Sequence, residues 1–140
     1  MGSRALRILA GVFFVSGLYD AFGGFYYSFL VGTGRSIDDP PTHPFYALFI
    51  ASFLFCFAYL QLACAFNIRR YLLAVGVVMV GRLLYVILLF TFLATASGFP
   101  ATFLPTAIID SLWSVLYLVF AALSDEIRLR ELFVPARAAA

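Results

Sequence analysis

The sequence predicts an all-α, polytopic membrane protein: a bundle of four transmembrane helices with both termini on the cytoplasmic side. Three observations predict this fold class. The 140 residues are 64% hydrophobic and only 11% charged, whereas a soluble domain is about 25% charged. Four apolar runs each reach the roughly 20 residues that a helix needs to cross the membrane. Arginines also concentrate on one side of the predicted membrane, which is the usual mark of the cytoplasmic side.

The apolar runs define the four spans in chain order. They cover about residues 8–31, 45–66, 71–95 and 103–123 of a single domain, and residues 124–140 form a cytoplasmic tail. Each span must be a helix because lipid cannot hydrogen-bond the backbone. The first run is expected to be a retained helix, since no small-residue cleavage site of a signal peptide follows it. Residues 125–133 alternate charged and apolar side chains, so we expect them to prolong the fourth helix or to lie along the interface.

Arginine alone decides the orientation, because the chain contains no lysine. The loop over residues 32–44 holds Arg35 together with Asp38 and Asp39, and we place it outside. Seven arginines fall on the opposite side: Arg4, Arg7, Arg69, Arg70, Arg128, Arg130 and Arg137. Since cytoplasmic loops carry the basic excess, both termini are predicted to be cytoplasmic.

Three ionisable residues remain inside the spans: Asp20, Arg82 and Asp110. Counted from the cytoplasmic end at about 1.5 Å per residue, they lie about 18 Å, 17 Å and 20–22 Å deep. An unpaired charge at the bilayer centre costs about 2.5–3.5 kcal/mol on insertion scales. We therefore expect Arg82 to pair with Asp110, with Asp20, or with both. One arginine cannot neutralise two carboxylates, and Asp20 is expected to be the residue whose state changes.

Each span carries a polar or small-residue stripe at helical spacing, which predicts an inward face. On the first helix Tyr27 extends a stripe of small residues, and on the third Tyr85 lies one turn beyond Arg82. The further stripe residues are Ser16, Gly17, Gly23 and Gly24 on the first helix, Ser52, Cys56 and Tyr59 on the second, and Thr106, Trp113, Ser114 and Tyr117 on the fourth. The resulting inner site is expected to be a structural ionic network, a ligand site, or a path for protons.

Several function classes find no support in the sequence. The net charge of +2 is too small and scattered for a nucleic-acid partner. Cys56 and Cys64 are eight residues apart, about 12 Å along a helix, which is too far for a disulfide. The only histidine is His43 in the loop, so we expect neither haem nor chlorophyll held by histidine, and no metal site. No complete catalytic constellation is present, which favours a non-catalytic protein and leaves an enzyme open.

Short motifs in three of the spans resemble the DoxX-like group of small bacterial membrane proteins. The first helix has Leu6 and Arg7 followed by Gly11, Phe14 and Gly17; the third has residues 81–85 (GRLLY); and Asp110 opens the last helix. Some members resemble subunits of membrane oxidoreductases that pass electrons to quinone. The resemblance implies an accessory role in the bacterial cytoplasmic (inner) membrane.

Three hypotheses follow for function. The first is a non-catalytic module that packs in the lipid bilayer against other membrane subunits of a redox, respiratory or photosynthetic complex, or against copies of itself. The second is an enzyme or binding protein for a lipid-like ligand such as a quinone, sterol or carotenoid, anchored at Asp20, Arg82 and Asp110. The third is proton or ion conduction through the carboxylates, which would require an oligomer.

Overall fold

A computed structural model describes residues 4–31 and 44–134 of the chain. Four helices in these ranges are long and apolar enough to cross a membrane, which makes the chain an integral membrane protein by helix length and composition. The predicted loop residues Arg35, Asp38, Asp39 and His43, and Arg137 in the tail, lie outside the described residues. The helices are α1 (Arg4–Tyr26, continued by a π-helical turn, Tyr27–Val31), α2 (Pro44–Phe66), α3 (Leu72–Thr95) and α4 (Leu104–Ala122).

Neighbouring helices run antiparallel. Gly17 of α1 lies against Leu62 of α2, and Gly24, two turns further along α1, lies against Phe55. The Phe13 ring of α1 packs 4.5 Å from the ring of Tyr117 near the end of α4. The start of α1, the turn between α2 and α3, and the end of α4 therefore lie at one end of the bundle, called the terminal end below. The opposite end is called the far end.

Small residues let α1 and α2 approach closely, as the stripe on α1 predicts. A Cβ atom added at Gly24 would lie 2.8 Å from the Phe55 ring, and one at Gly17 would lie 3.0 Å from Leu62 Cγ. The face that α2 buries is also narrow. It consists of Ala47, Ala51, Ala58, Gln61 and Cys64. Close backbone approach of this kind drives packing where the hydrophobic effect is absent.

The predicted inward face of α2 was wrong. Ser52 and Cys56 are exposed on the outer surface of the bundle, and Tyr59 is 76% exposed. The Ser52 hydroxyl donates to the Leu48 carbonyl of its own helix at 2.9 Å, so it needs no partner from another helix. The alanine face turns inward instead because it permits the close approach to α1.

The interior is packed unevenly along the bundle. A cluster of buried residues fills the half near the terminal end, with Leu9, Phe13, Val75, Val78 and Tyr117 among its members. Beyond Arg82, most of α3 is exposed; only Val86 and Leu89 are buried in that half. The polar residues described next lie between the packed half and the open half.

The tail does not prolong α4, contrary to the first of the two predicted conformations. The helix ends at Ala122, and a short 3-10 helix, Leu129–Leu132, packs against α3. Ile127 and Leu132 are buried in the core cluster. Gly76 of α3 makes room for the tail, because any Cβ there would collide with the backbone carbonyl of Leu132. The apolar residues of the tail thus cover the start of α3 instead of continuing in a helix.

Candidate functional site

The three ionisable residues of the spans meet in one buried cluster. Arg82 Nη1 donates to Asp110 Oδ1, and Arg82 Nη2 donates to Asp20 Oδ2. The residues are only 3%, 6% and 3% exposed for Asp20, Arg82 and Asp110, so all three charges are shielded from the surroundings of the bundle. Arg82 pairs with both acids, because the planar guanidinium presents donors to two carboxylates at once.

Three further side chains extend the cluster to all four helices. Gln61 Nε2 of α2 donates to Asp20 Oδ2, and the Tyr117 hydroxyl donates to Gln61 Oε1 at 2.9 Å. Ser16 Oγ lies within hydrogen-bonding distance of both Gln61 Oε1 and the Tyr117 hydroxyl. Together these residues form the polar network: Ser16, Asp20, Gln61, Arg82, Asp110 and Tyr117.

The proton positions in the polar network follow from donor and acceptor chemistry. With Asp20 ionised, its carboxylate accepts only, so the amide nitrogen of Gln61 faces Asp20 and its oxygen faces the hydroxyls. Each hydroxyl has one proton to donate. With the Tyr117 hydroxyl donating to Gln61 Oε1, Ser16 Oγ donates to the Tyr117 oxygen, and the Gln61 amide continues the chain to Asp20 and Arg82. This assignment gives each hydroxyl one acceptor and leaves no two donors facing each other.

Three stripe residues of α4 and α3 occupy different positions around the network. The buried Ser114 hydroxyl donates to the Asp110 backbone carbonyl at 2.9 Å, within its own helix. Trp113 is half-buried, with its ring 6.4 Å from that of Tyr19. Tyr85 is 42% exposed and lies within electrostatic range of Asp110 and Arg82. Of the three, only Ser114 is as buried as the network itself.

Tyr27 lies apart from the polar network, in the π-helical turn that follows α1. Its ring contacts Tyr26 edge-on, with 5.8 Å between the ring centroids. Of the charges and stripe residues that the sequence singles out, the structure therefore brings Ser16, Asp20, Arg82, Asp110 and Tyr117 into one network. Ser114, Trp113 and Tyr85 lie beside it, and Tyr27 does not join it.

Two buried N–H groups have no hydrogen-bond partner among the described residues: Arg82 Nε and Trp113 Nε1. A buried donor without a partner costs about 1–3 kcal/mol. Both groups can bind an acceptor atom, such as a carbonyl oxygen or a water molecule. They are the buried donors of the site that the described residues leave without an acceptor.

Sequence reasoning missed Gln61, although a signal was present. Gln61 is the only amide side chain in the second span, and an amide inside a membrane needs a partner. Gln61 lies against Gly17, which is three residues, or about 4.5 Å, before Asp20 on α1. Matching by depth considered ionisable residues alone, so the neutral amide of Gln61 was not included.

The described residues show no cluster of three or more His, Cys, Asp or Glu side chains that could hold a metal ion. Both carboxylates of the network are engaged by Arg82. Chemically, the arrangement can hold four helices in register and can offer two N–H donors to an acceptor. No protein-family model, curated protein or solved structure matches the chain, and the resemblance to the DoxX-like group therefore stays a prediction from short motifs.

Proposed function

We propose that this chain is a non-catalytic module of the bacterial cytoplasmic membrane that packs as an accessory subunit beside other membrane proteins. The observation that carries the proposal is the polar network itself. Its two carboxylates, one guanidinium, one amide and two hydroxyls bond mainly to one another. Residues engaged in this way stabilise a helix arrangement, and that role needs no substrate.

The network fixes the register of all four helices. Breaking a buried ion pair by removing one partner costs about 3–5 kcal/mol, so a helix that slips by one turn would lose that much. A short chain of four helices gains a single defined arrangement in this way. A rigid module with fixed outer faces is what an accessory subunit requires.

The outer faces support packing against apolar surroundings. Large apolar side chains are exposed along α2 and along the far half of α3, with Phe49 at 63%, Tyr59 at 76% and Leu88 at 56%. Thr91 and Thr95 on α3 donate to carbonyls of their own helix at 2.7 Å, so they present no unpaired hydroxyl. We take the far half of α3 as the face that another membrane subunit covers, because the bundle itself leaves it open.

The proposal includes the orientation with both termini in the cytoplasm. It is supported by the arginines at the terminal end, among them Arg4, Arg7, Arg69 and Arg70. The excess of basic residues at this end matches the cytoplasmic side of membrane proteins. The redox or respiratory type of the partner complex is taken from the DoxX-like motifs.

Site-specific crosslinking tests the proposal. A photoreactive residue is placed at Leu88 on the far half of α3, and a matched one at Leu112 on α4, which is equally exposed at 55%. We expect Leu88 to crosslink to one discrete membrane protein that also co-purifies in constant ratio in mild detergent. A crosslink from Leu88 to lipid alone, with the chain purifying as a single copy, would contradict the accessory role.

A second candidate function is binding of a lipid-like molecule that carries a carbonyl oxygen, such as a quinone. The observation that favours it is that two buried donors, Arg82 Nε and Trp113 Nε1, have no acceptor among the described residues. Trp113→Phe removes the indole N–H and keeps an aromatic ring. Native mass spectrometry after gentle extraction should then show a bound molecule in the wild type and less of it in the variant. Equal occupancy in the two proteins would remove this candidate.

A further inference from the structure

A cleft at the terminal end of the bundle has the chemistry of a phosphate site. It lies between the first turns of α1 and the end of α2 and has a volume of about 250 Å³. Its polar wall is formed by Arg7, Asn67 and Arg69. Its apolar wall is formed by Leu6, Ala10, Ala65, Phe66 and Ile68. None of these residues belongs to the polar network.

The charged side chains at the cleft have a net positive charge that one anion would neutralise. Within residues 4–31 and 44–134, no carboxylate forms an ion pair with Arg7, whereas Arg69 bonds Glu126 through Nη2. A guanidinium has five N–H donors, so Arg69 keeps donors for a second acceptor. Two arginines and one glutamate sum to a charge of +1, which one phosphodiester would neutralise.

The position of the cleft favours a lipid headgroup over a free anion as the ligand. Arg7 lies one turn into α1, and Arg69 lies in the turn that follows α2, so the cleft is at the level where helices leave the hydrocarbon. Phe66 on the apolar wall is 81% exposed, on the side where acyl chains would lie. Basic pockets between membrane helices at this level bind anionic headgroups. A free phosphate would make no use of the apolar wall.

We propose that this cleft binds the headgroup of an anionic phospholipid, with Arg7 and Arg69 contacting the phosphate and the apolar wall contacting the first part of the acyl chains. The site is separate from the proposed accessory role and does not depend on it. It also does not depend on which leaflet the terminal end faces.

Native mass spectrometry of the full chain, delipidated in mild detergent, tests the site. The protein is titrated with phosphatidylglycerol and, separately, with phosphatidylcholine of the same acyl chains. The double variant Arg7→Gln with Arg69→Gln is compared with Arg128→Gln with Arg130→Gln, which removes the same charge from outside the cleft. We expect the cleft variant to lose about thirtyfold in phosphatidylglycerol affinity, at about 1 kcal/mol for each arginine, and the tail variant to change little. Equal losses in the two variants would overturn the site.

Two further measurements distinguish binding of the lipid from binding of a free anion. Ala65→Phe fills the apolar wall and keeps both arginines, and we expect it to weaken phosphatidylglycerol binding as well. Unchanged binding in that variant would overturn the proposal, even if the double arginine variant did not fold.

Inorganic phosphate alone is the third probe. Binding of phosphate as tight as that of phosphatidylglycerol would show that the cleft recognises a free anion, and phosphatidylcholine binding as tight as phosphatidylglycerol would overturn the anionic specificity.

Discussion

Arg82 and Gln61 donate to the same atom, Oδ2 of Asp20, although they lie on different helices. Their helices, α3 and α2, share far less contact with each other than α1 shares with α2. The carboxylate of α1 therefore joins two helices that pack little by themselves. Loss of either donor should loosen the bundle at this point, and the two losses should differ in size.

Arg82→Ala is expected to destabilise the folded bundle by about 3–5 kcal/mol, because it leaves two buried carboxylates without their shared cation. Thermal unfolding in detergent, followed by circular dichroism, measures the loss. Arg130→Ala, on the exposed surface of the tail, is the matched control and should change stability by less than about 0.5 kcal/mol. Arg82→Lys should fall between them, since an ammonium is a point charge without the planar fork. A stability of Arg82→Ala equal to that of the control would show that the ion pairs do not hold the bundle.

Gln61→Leu removes one donor to Asp20 and one acceptor for Tyr117 and Ser16, and should cost about 1–3 kcal/mol. Ser52→Ala on the same helix is the control, because the Ser52 hydroxyl bonds only within α2. Gln61→Glu should be worse than Gln61→Leu, since it sets a third carboxylate beside Asp20. These variants are compared in the same unfolding assay. The network assignment fails if Gln61→Leu is no more destabilising than Ser52→Ala.

Gly76→Ala is expected to displace the tail from α3, because its Cβ would collide with the Leu132 carbonyl. Limited proteolysis reads out the change as faster cleavage within the 3-10 helix Leu129–Leu132. Gly11→Ala is the control: apart from its chain neighbours and its own helix backbone, no heavy atom of the described residues lies within 4 Å of its added Cβ, and alanine favours a helix by about 1 kcal/mol over glycine. Cleavage at the wild-type rate in Gly76→Ala would mean that the tail does not rest on α3.

The bonding within the polar network also predicts that it carries no proton current. Arg82 holds both carboxylates, and a fixed cation opposes the passage of a proton between them. Proteoliposomes loaded with a pH-sensitive dye should therefore leak protons equally with the wild type and with Asp20→Asn. A wild-type current that Asp20→Asn abolishes would favour conduction over the accessory role.

The sequence predicted the helices of the fold well and the inner faces only in part. Apolar runs gave the four spans because the hydrocarbon thickness sets the length of each helix. The matched depths of Asp20, Arg82 and Asp110 predicted their ion pairs, because an unpaired charge inside the membrane is costly. The inward face of α2 was predicted wrongly from Ser52, Cys56 and Tyr59, although the amide of Gln61 marks the buried side. The Ser52 hydroxyl donates to a carbonyl of its own helix, so its polarity does not indicate which face of α2 is turned inward. The alanines of the inward face have no polar group that could mark it.

The tail shows a second limit of the sequence. Residues 125–133 have the composition of a helix or an interfacial segment, and both are local patterns. The tail packs on α3 at Gly76, 56 residues before Leu132, where the missing side chain leaves a space that the Leu132 backbone fills. A contact between two distant segments has no signature in the pattern of either segment alone.

The order of the network residues along the chain determines when each charge finds its counterion during biosynthesis. Asp20, Gln61 and Arg82 all precede α4, and an aspartate and an arginine already cancel. The buried charges of the first three helices can thus cancel before α4 is inserted. Asp110 is the last of the three buried charges to be inserted. Its ion-pair partner Arg82 can by then already be bound to Asp20. Insertion of the final helix is therefore the step that depends on its predecessors being in place.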